Sequence, residues 1–302
     1  MDLKSKIILI YGPTASGKST FSIRLAKKIN GEIINADSMQ VYKELKILSA
    51  RPFRKDYSGI KHHLYGTQSV KRNFSTGEWL KLVKQKIKDS KKRKKTPILV
   101  GGTGLYFKTL TEGLASIPYI PIKLRESIRS LHKKLGSRNF FQKLIKLDPL
   151  AENFINQSDT QRVIRAYEVK LFTNKSLYDW VKTTHSDFEK KDFYKIYIDH
   201  PRAELIKRIN IRAEDMIKKG AILEVRKFIS LKIPKNKPAA KAIGIEEIRS
   251  YLNKKILIPE VIEKISIKTR QYAKRQTTWG RSNMLDWKKI KSEGLNKFLK
   301  KI

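Results

Sequence analysis

The chain has 302 residues, with 67 Lys and Arg against 28 Asp and Glu, and no cysteine. The net charge of +39 favours a polyanionic partner, RNA or DNA, and makes that association salt-dependent. The lack of cysteine excludes disulfides, thiolate zinc sites and cysteine nucleophiles, which fits a cytoplasmic setting, and no apolar run reaches the ~18 to 20 residues of a membrane span.

KIILIY, Lys6 to Tyr11, is short, apolar and halted by Gly12-Pro13, so it predicts a buried strand rather than a signal peptide. Gly12 to Lys18 follow as a loop. Phe21, Leu25 and Ile29 then share one face of a helix near Ser19 to Lys28. EIINA predicts a second strand running up to Asp37, and a helix is expected around Ser75 to Ser90. The run KKRKK, Lys91 to Lys95, reads as solvated surface. PILVGG is a third strand, apolar throughout and therefore covered on both faces. Strands separated by helices predict an α/β core with a parallel sheet, with ligands at the strands' carboxyl ends.

The two prolines of SIPYIPIK punctuate the chain at Pro118 and Pro121. An all-helical insertion is expected after them. One helix covers 125–135 and is ended by Gly136; another covers 140–147 and is stopped by Asp148-Pro149; a third is capped by Asp159 and runs to about Thr173. KIYIDHP returns as a strand, Pro201 opens a helix ending near Gly220, and the C-terminal third reads as helical, with a last long helix over roughly Pro259 to Thr278. The expected organisation is a P-loop α/β core over 1–113, a helical insertion over 114–190, and core completion with C-terminal helices over 191–302.

GPTASGKS, comprising Gly12, Pro13, Thr14, Ala15, Ser16, Gly17, Lys18 and Ser19, matches the G-x-x-x-x-G-K-[ST] phosphate loop between a strand and a helix. Backbone N–H groups and the helix N-terminus cradle phosphate, Lys18 adds charge, and the Ser19 hydroxyl can ligate Mg²⁺. The motif implies a diphosphate or longer and leaves open whether a nucleotide carries it. A P-loop NTPase also needs an acid closing an apolar strand. Here PILV runs into Gly101-Gly102-Thr103-Gly104 instead, and Asp199 reads as a helix N-cap. Asp37 heads DSMQVY and reads either as a general base or as a metal or turn residue. Thr103 reads as ligand-facing or as part of a tight turn. His62 and His63 point apart on a strand and read as packing and hydrogen-bonding residues rather than a metal pair.

The blocks GPTASGKS, NADSMQVYK, HHLYG, PILVGGTGLYFKTLTEGL, DTQRVIRAYEV and RQYAKRQTTW resemble, in order and spacing, the tRNA dimethylallyltransferases, the bacterial tRNA isopentenyltransferases. The resemblance covers nearly the whole chain. It implies that the loop grips the diphosphate of dimethylallyl diphosphate rather than ATP. The acceptor it implies is the N6 amine of the adenine immediately 3′ of the anticodon in tRNAs reading U-starting codons. Asp37 would accept the N6 proton, and Thr103 would hydrogen-bond the bridging oxygen of the leaving group. Lys18, Ser19 with Mg²⁺, and Arg212 would neutralise the departing diphosphate. The resemblance assigns contacts to the tRNA anticodon stem-loop to Asp37, Ser38, Met39, Gln40, Thr103, Arg125, Gln161, Arg162, Val163, Ile164, Arg165, Lys241, Gln271, Lys274 and Arg275. A monomer is expected, since nothing such as a coiled coil predicts assembly.

Three departures stand out. Leu48-Ser49-Ala50-Arg51-Pro52 replaces the usual Gly-Thr-Ala-Lys-Pro, Thr160 replaces a common proline, and Gly280 stands where an aromatic is common. Two rival readings remain at this stage: an ATP-dependent P-loop kinase of a small molecule or nucleoside, and a non-catalytic RNA-binding protein.

Overall fold

The computed structural model describes residues 3–302 and divides them into two compact units. One runs up to Thr109 and resumes over Phe188–Ile302; the other is Leu110–Asp187.

The first unit is built on six strands: β1 (Ile7–Tyr11), β2 (Gly31–Asn35), β3 (His62–His63), β4 (Thr96–Gly101), β5 (Phe193–Asp199) and β6 (Lys288–Lys291). They lie in the order β3-β2-β4-β1-β5-β6, and every pairing is parallel. All five residues of β1 are buried, because strands pair on both its edges and helices cover both faces. Each buried aliphatic side chain there contributes about 1.5–3 kcal/mol relative to exposure.

Helix α1 (Lys18–Ile29) turns Phe21, Leu25, Ala26 and Ile29 into a core shared with Ile8, Ile10, Ile98 and Ile196. Helix α2 (Thr76–Lys92) starts in a reciprocal cap. The Ser75 hydroxyl accepts from the Glu78 amide, and the Glu78 carboxylate accepts from the Ser75 amide. Near its far end, Ser90 and Arg93 meet buried Glu32 of β2, which also receives His63 at 2.9 Å. Burial would push the Glu32 carboxyl up. The hydrogen bonds from Arg93, Ser90 and His63 outweigh it and hold the pKa at about 2. The paired histidines are therefore structural, with His62 stacked on Tyr57.

Helix α3 (Gly104–Glu112) leaves β4 and runs across the boundary between the units. In the second unit α4 (Ile122–Leu147) contains a break at Gly136, with φ 73° and ψ 167°, at the position where the sequence ends one helix before another begins. Helices α5 (Thr160–Thr173) and α6 (Leu177–Lys182) complete it. The Asp159 carboxylate caps α5 by accepting the Arg162 amide at 3.1 Å. Ile128, Phe140, Phe141, Leu144, Val163, Ala166 and Tyr167 form this unit's core.

The first unit then continues through α7 (Arg202–Lys218), α8 (Ala221–Ser230), α9 (Ile245–Leu252), α10 (Ile258–Asn283) and α11 (Leu295–Lys300). Two sequence expectations need correction. Asp199 does not cap α7: it ends β5, and the capping position is Pro201, which offers no side-chain bond. The C-terminal third is not wholly helical, since Lys288–Lys291 form an edge strand; three lysines around one buried isoleucine disguise it. Regular helix in the second unit begins at Ile122, after the proline-punctuated segment. Among the described residues no helix is long and apolar enough to cross a membrane.

Candidate active site

Strands β2, β4 and β1 are neighbours and parallel, so the loops leaving their carboxyl ends share one edge of the sheet. The loop after β1 is the glycine-rich phosphate loop, the one after β2 carries Asp37, and the one after β4 carries Thr103. Three segments far apart in sequence therefore reach one crevice, as in other open parallel sheets. The approach of β2 to β4 is tight. A Cβ on Gly101 would lie 1.9 Å from the Ala36 carbonyl oxygen, so only glycine fits there.

The phosphate loop is curled on itself, with the Ser16 amide donating to the Pro13 carbonyl at 3.2 Å and Lys18 Nζ to the same oxygen at 3.1 Å. Arg212, from α7, donates to Thr14 Oγ1 at 2.9 Å, and Arg208 reaches the Ala15 carbonyl. Enclosure pushes the Lys18 ammonium down to about 8; Asp37 opposes that and Arg212 adds to it. Burial likewise lowers the Arg212 guanidinium, against the pull of Asp37. Ser16 Oγ and Arg212 Nε are buried without a hydrogen-bond partner among the described residues. Leaving such groups unpaired costs about 1–3 kcal/mol each, so both fit a site completed by an anionic ligand.

Asp37 sits at a turn that fixes one of its oxygens. Oδ1 accepts the amides of Met39 at 2.9 Å and Gln40 at 3.3 Å, whereas Oδ2 has no hydrogen-bond partner among the described residues. Buried Asn35 locks the turn, donating to the Asp37 and Leu64 carbonyls and accepting the Asp37 amide. Thr103 Oγ1 accepts the Ser38 amide at 3.0 Å and lies 3.3 Å from the Ser38 hydroxyl. The two halves of the candidate catalytic pair thus belong to one hydrogen-bonded unit.

Two residues of the site carry no clear sequence signal as single positions. Gln276 of α10 is buried; its Oε1 accepts the Thr14 amide at 2.8 Å and its Nε2 donates to the Gly102 carbonyl at 2.9 Å. Tyr272, one turn earlier, has its phenol pushed up first by burial and then by the charge of Asp37. Both lie inside RQYAKRQTTW, so the block marks the region while the individual roles need the fold.

Of the residues matched to RNA contacts, Asp37, Ser38, Met39, Gln40 and Thr103 surround the crevice. Gln271, Lys274 and Arg275 are exposed on α10, and Lys241 is exposed at the end of a short 3₁₀ turn. Gln271 and Lys274 line a cleft of about 730 Å³ together with Asp199 and Arg281. No phosphate-loop residue lines that cleft. In the second unit Arg125 and Arg165 both pair with buried Glu168, while Arg162 pairs with Asp159. Gln161 is exposed. Val163 departs from its expected role, because its side chain is buried in the helical core and has no surface to offer RNA. Ile164 packs against the same core.

A parallel sheet with a phosphate loop, a half-free carboxylate and a hydroxyl at adjacent strand ends defines a P-loop-type α/β enzyme. The family model for IPP transferase matches residues 40–283. The tRNA dimethylallyltransferase of Pelagibacter ubique is 54% identical over 302 residues, covering 100% of this chain and 96% of that one. Its counterpart in Rickettsia massiliae is 46% identical over 285 residues, covering 94% and 78%. The crystal structure of the full-length tRNA isopentenylpyrophosphate transferase of Bacillus halodurans superposes with a TM-score of 0.70 at 30% identity, covering 98% of this chain and 95% of that one. A eukaryotic dimethylallyltransferase captured acting on tRNA gives 0.82 at 27%, covering 95% and 74%. The chain belongs to the IPP transferase family.

Proposed function

We propose that this protein transfers the dimethylallyl group of dimethylallyl diphosphate to the N6 amine of the adenine immediately 3′ of the anticodon in tRNAs reading U-starting codons. The carrying observation is Asp37, with one oxygen pinned by its own turn and the other open, beside a phosphate loop flanked by Lys18 and Arg212. The relatives' names supply the transferred group and the tRNA acceptor, and the charge of +39 suits an RNA substrate.

In this reading the loop amides of Ala15, Gly17, Lys18 and Ser19, with the side chains of Lys18 and Arg212, bind the diphosphate, the Ser16 amide being held by the Pro13 carbonyl. The Thr14 amide is already engaged by Gln276. As the N6–C bond forms and the allylic C–O bond breaks, the bonding pair leaves on the diphosphate and the N6 proton passes to Asp37 Oδ2. Thr103 donates to the bridging oxygen, where negative charge develops. Positioning and charge stabilisation supply most of the acceleration, because the allylic carbon ionises readily. The Ser19 hydroxyl, exposed in the first turn of α1, is suited to Mg²⁺, which takes one or two protein oxygens and completes its shell from phosphates and water. Bound there, Mg²⁺ would neutralise diphosphate charge.

The kinase reading is set aside, since β4 closes in glycines and the relatives are prenyl transferases. The test is incubation with dimethylallyl diphosphate, Mg²⁺ and unmodified tRNA, followed by mass analysis of the nucleosides. N6-isopentenyladenosine is expected; its absence with folded enzyme overturns the proposal.

A further inference from the structure

In the helical unit, Glu168 of α5 has a side chain only 1% exposed, yet it binds two arginines that remain about 40% exposed. Arg125, near the start of α4, places Nε 3.3 Å from Oε2 and 3.4 Å from Oε1. Arg165, one turn before Glu168 on α5, places Nη1 3.3 Å from the same Oε2. Two guanidiniums from different helices are thereby brought to one carboxylate, and each, still partly exposed, has N–H groups that Glu168 does not use. Glu168 cancels one of the two positive charges, so the cluster carries a net +1.

A pure folding role does not need this arrangement. One arginine is enough to neutralise a buried carboxylate, so the second is not required for charge balance. Two like charges would otherwise repel and sample many rotamers. The shared carboxylate fixes both, so the entropy of ordering them is lost on folding and not on binding. A guanidinium held with N–H groups unused matches the geometry of phosphate.

We propose that Arg125, Glu168 and Arg165 form one two-armed site for a single RNA backbone phosphate, in which Glu168 is a positioning residue that never touches the RNA. This deepens the reading of tRNA as acceptor and rests on it.

The sign of the effect separates positioning from bulk charge. Glu168→Gln raises the net charge, so long-range attraction alone predicts tighter RNA binding, most visibly at low salt. Loss of positioning predicts the reverse. The neutral amide accepts from one arginine and turns its own NH₂ toward the other. With wild-type enzyme and an unmodified anticodon stem-loop as probe, Glu168→Gln should raise both Kd and the KM for RNA about tenfold, the scale of one charge-assisted contact. The kcat at saturating RNA and the KM for dimethylallyl diphosphate should stay within about twofold.

Tighter or unchanged binding by folded Glu168→Gln overturns the proposal. Should that variant fail to fold, Arg125→Ala, Arg165→Ala and the double variant decide it, since both side chains are half-exposed. A single shared phosphate predicts that the double variant loses little more than either single one, with the salt slope falling by about one in all three. Fully additive losses would instead mean two separate contacts and no shared site. Wild-type enzyme that neither binds nor prenylates tRNA would fail the acceptor reading itself, a result distinguishable from a variant-specific one.

Discussion

Gln276 accepts the amide of Thr14 at 2.8 Å while donating to the carbonyl of Gly102 at 2.9 Å, so one buried side chain sets the spacing between the phosphate loop and the turn bearing Thr103. Tyr11, at the end of β1, donates its hydroxyl to the Gln276 carbonyl at 2.6 Å and anchors the same point of α10. Gln276→Ala should therefore loosen donor and leaving-group contacts together. A fall in kcat of about 10- to 100-fold is expected, the scale of an ångström-level misplacement, with RNA affinity little changed. Steady-state kinetics alongside a thermal melt check it; wild-type kcat in folded enzyme would remove Gln276 from the mechanism.

Asp37 has two separable duties, because Oδ1 holds the turn and Oδ2 is open. Asp37→Asn keeps an oxygen for the Met39 and Gln40 amides and removes the base. Transfer should drop by roughly 10²- to 10⁴-fold, while stem-loop binding stays within about twofold. Asp37→Ala should lose the turn as well and show a lower melting temperature than Asp37→Asn. A large loss of RNA affinity in Asp37→Asn would assign the residue to recognition instead.

Lys18 has its pKa lowered to about 8, chiefly by enclosure. The charged ammonium, present below that pH, attracts diphosphate; the neutral amine above it does not. The KM for dimethylallyl diphosphate should accordingly rise as pH increases through about 8. Diphosphate binding favours the protonated form, so binding near pH 8 should take up a proton from buffer. Calorimetry in buffers of different ionisation enthalpy measures that uptake; a flat KM profile from pH 7 to 9.5 would contradict it.

Gly280 and Tyr11 form a compensating pair. A Cβ at position 280 would lie 2.8 Å from Tyr11 Cε1 and 3.3 Å from Tyr197 Cζ, so the buried Tyr11 ring fills space that a side chain at 280 would need. Gly280→Phe should destabilise the chain by about 1–3 kcal/mol, as overpacking does. Combining it with Tyr11→Ala should recover part of that loss, at the expense of the hydroxyl bond to Gln276. Denaturant unfolding of the two single variants and the double variant gives the coupling; strict additivity would show that the two positions do not share space.

Where a local rule governs, the sequence was a sufficient guide. The apolar runs of β1 and β4, the 3.6-residue spacing of Phe21, Leu25 and Ile29, the helix near Ser75 to Ser90, the Asp159 cap, and the break at Gly136 all follow from properties of adjacent residues. The phosphate loop was legible for the same reason, since its glycines, lysine and serine are contiguous. The edge strand β6 was not, because it has only one inward residue and its lysines face outward. Val163 was misassigned because a motif records neighbours in the chain and not which face of α5 packs inward.

The sequence alone determined that this is a basic, cysteine-free α/β protein with a phosphate-loop motif and the signature blocks of one enzyme family. Only the tertiary structure decided that Gln276 bridges loop and turn, that Asp37 keeps one oxygen open, and that Arg125 and Arg165 share Glu168. The physical reason is distance along the chain. Thr14 and Gln276 are separated by 262 positions, and Arg125 and Glu168 by 43. Such contacts arise only once parallel strands and packed helices have brought their ends to a common edge.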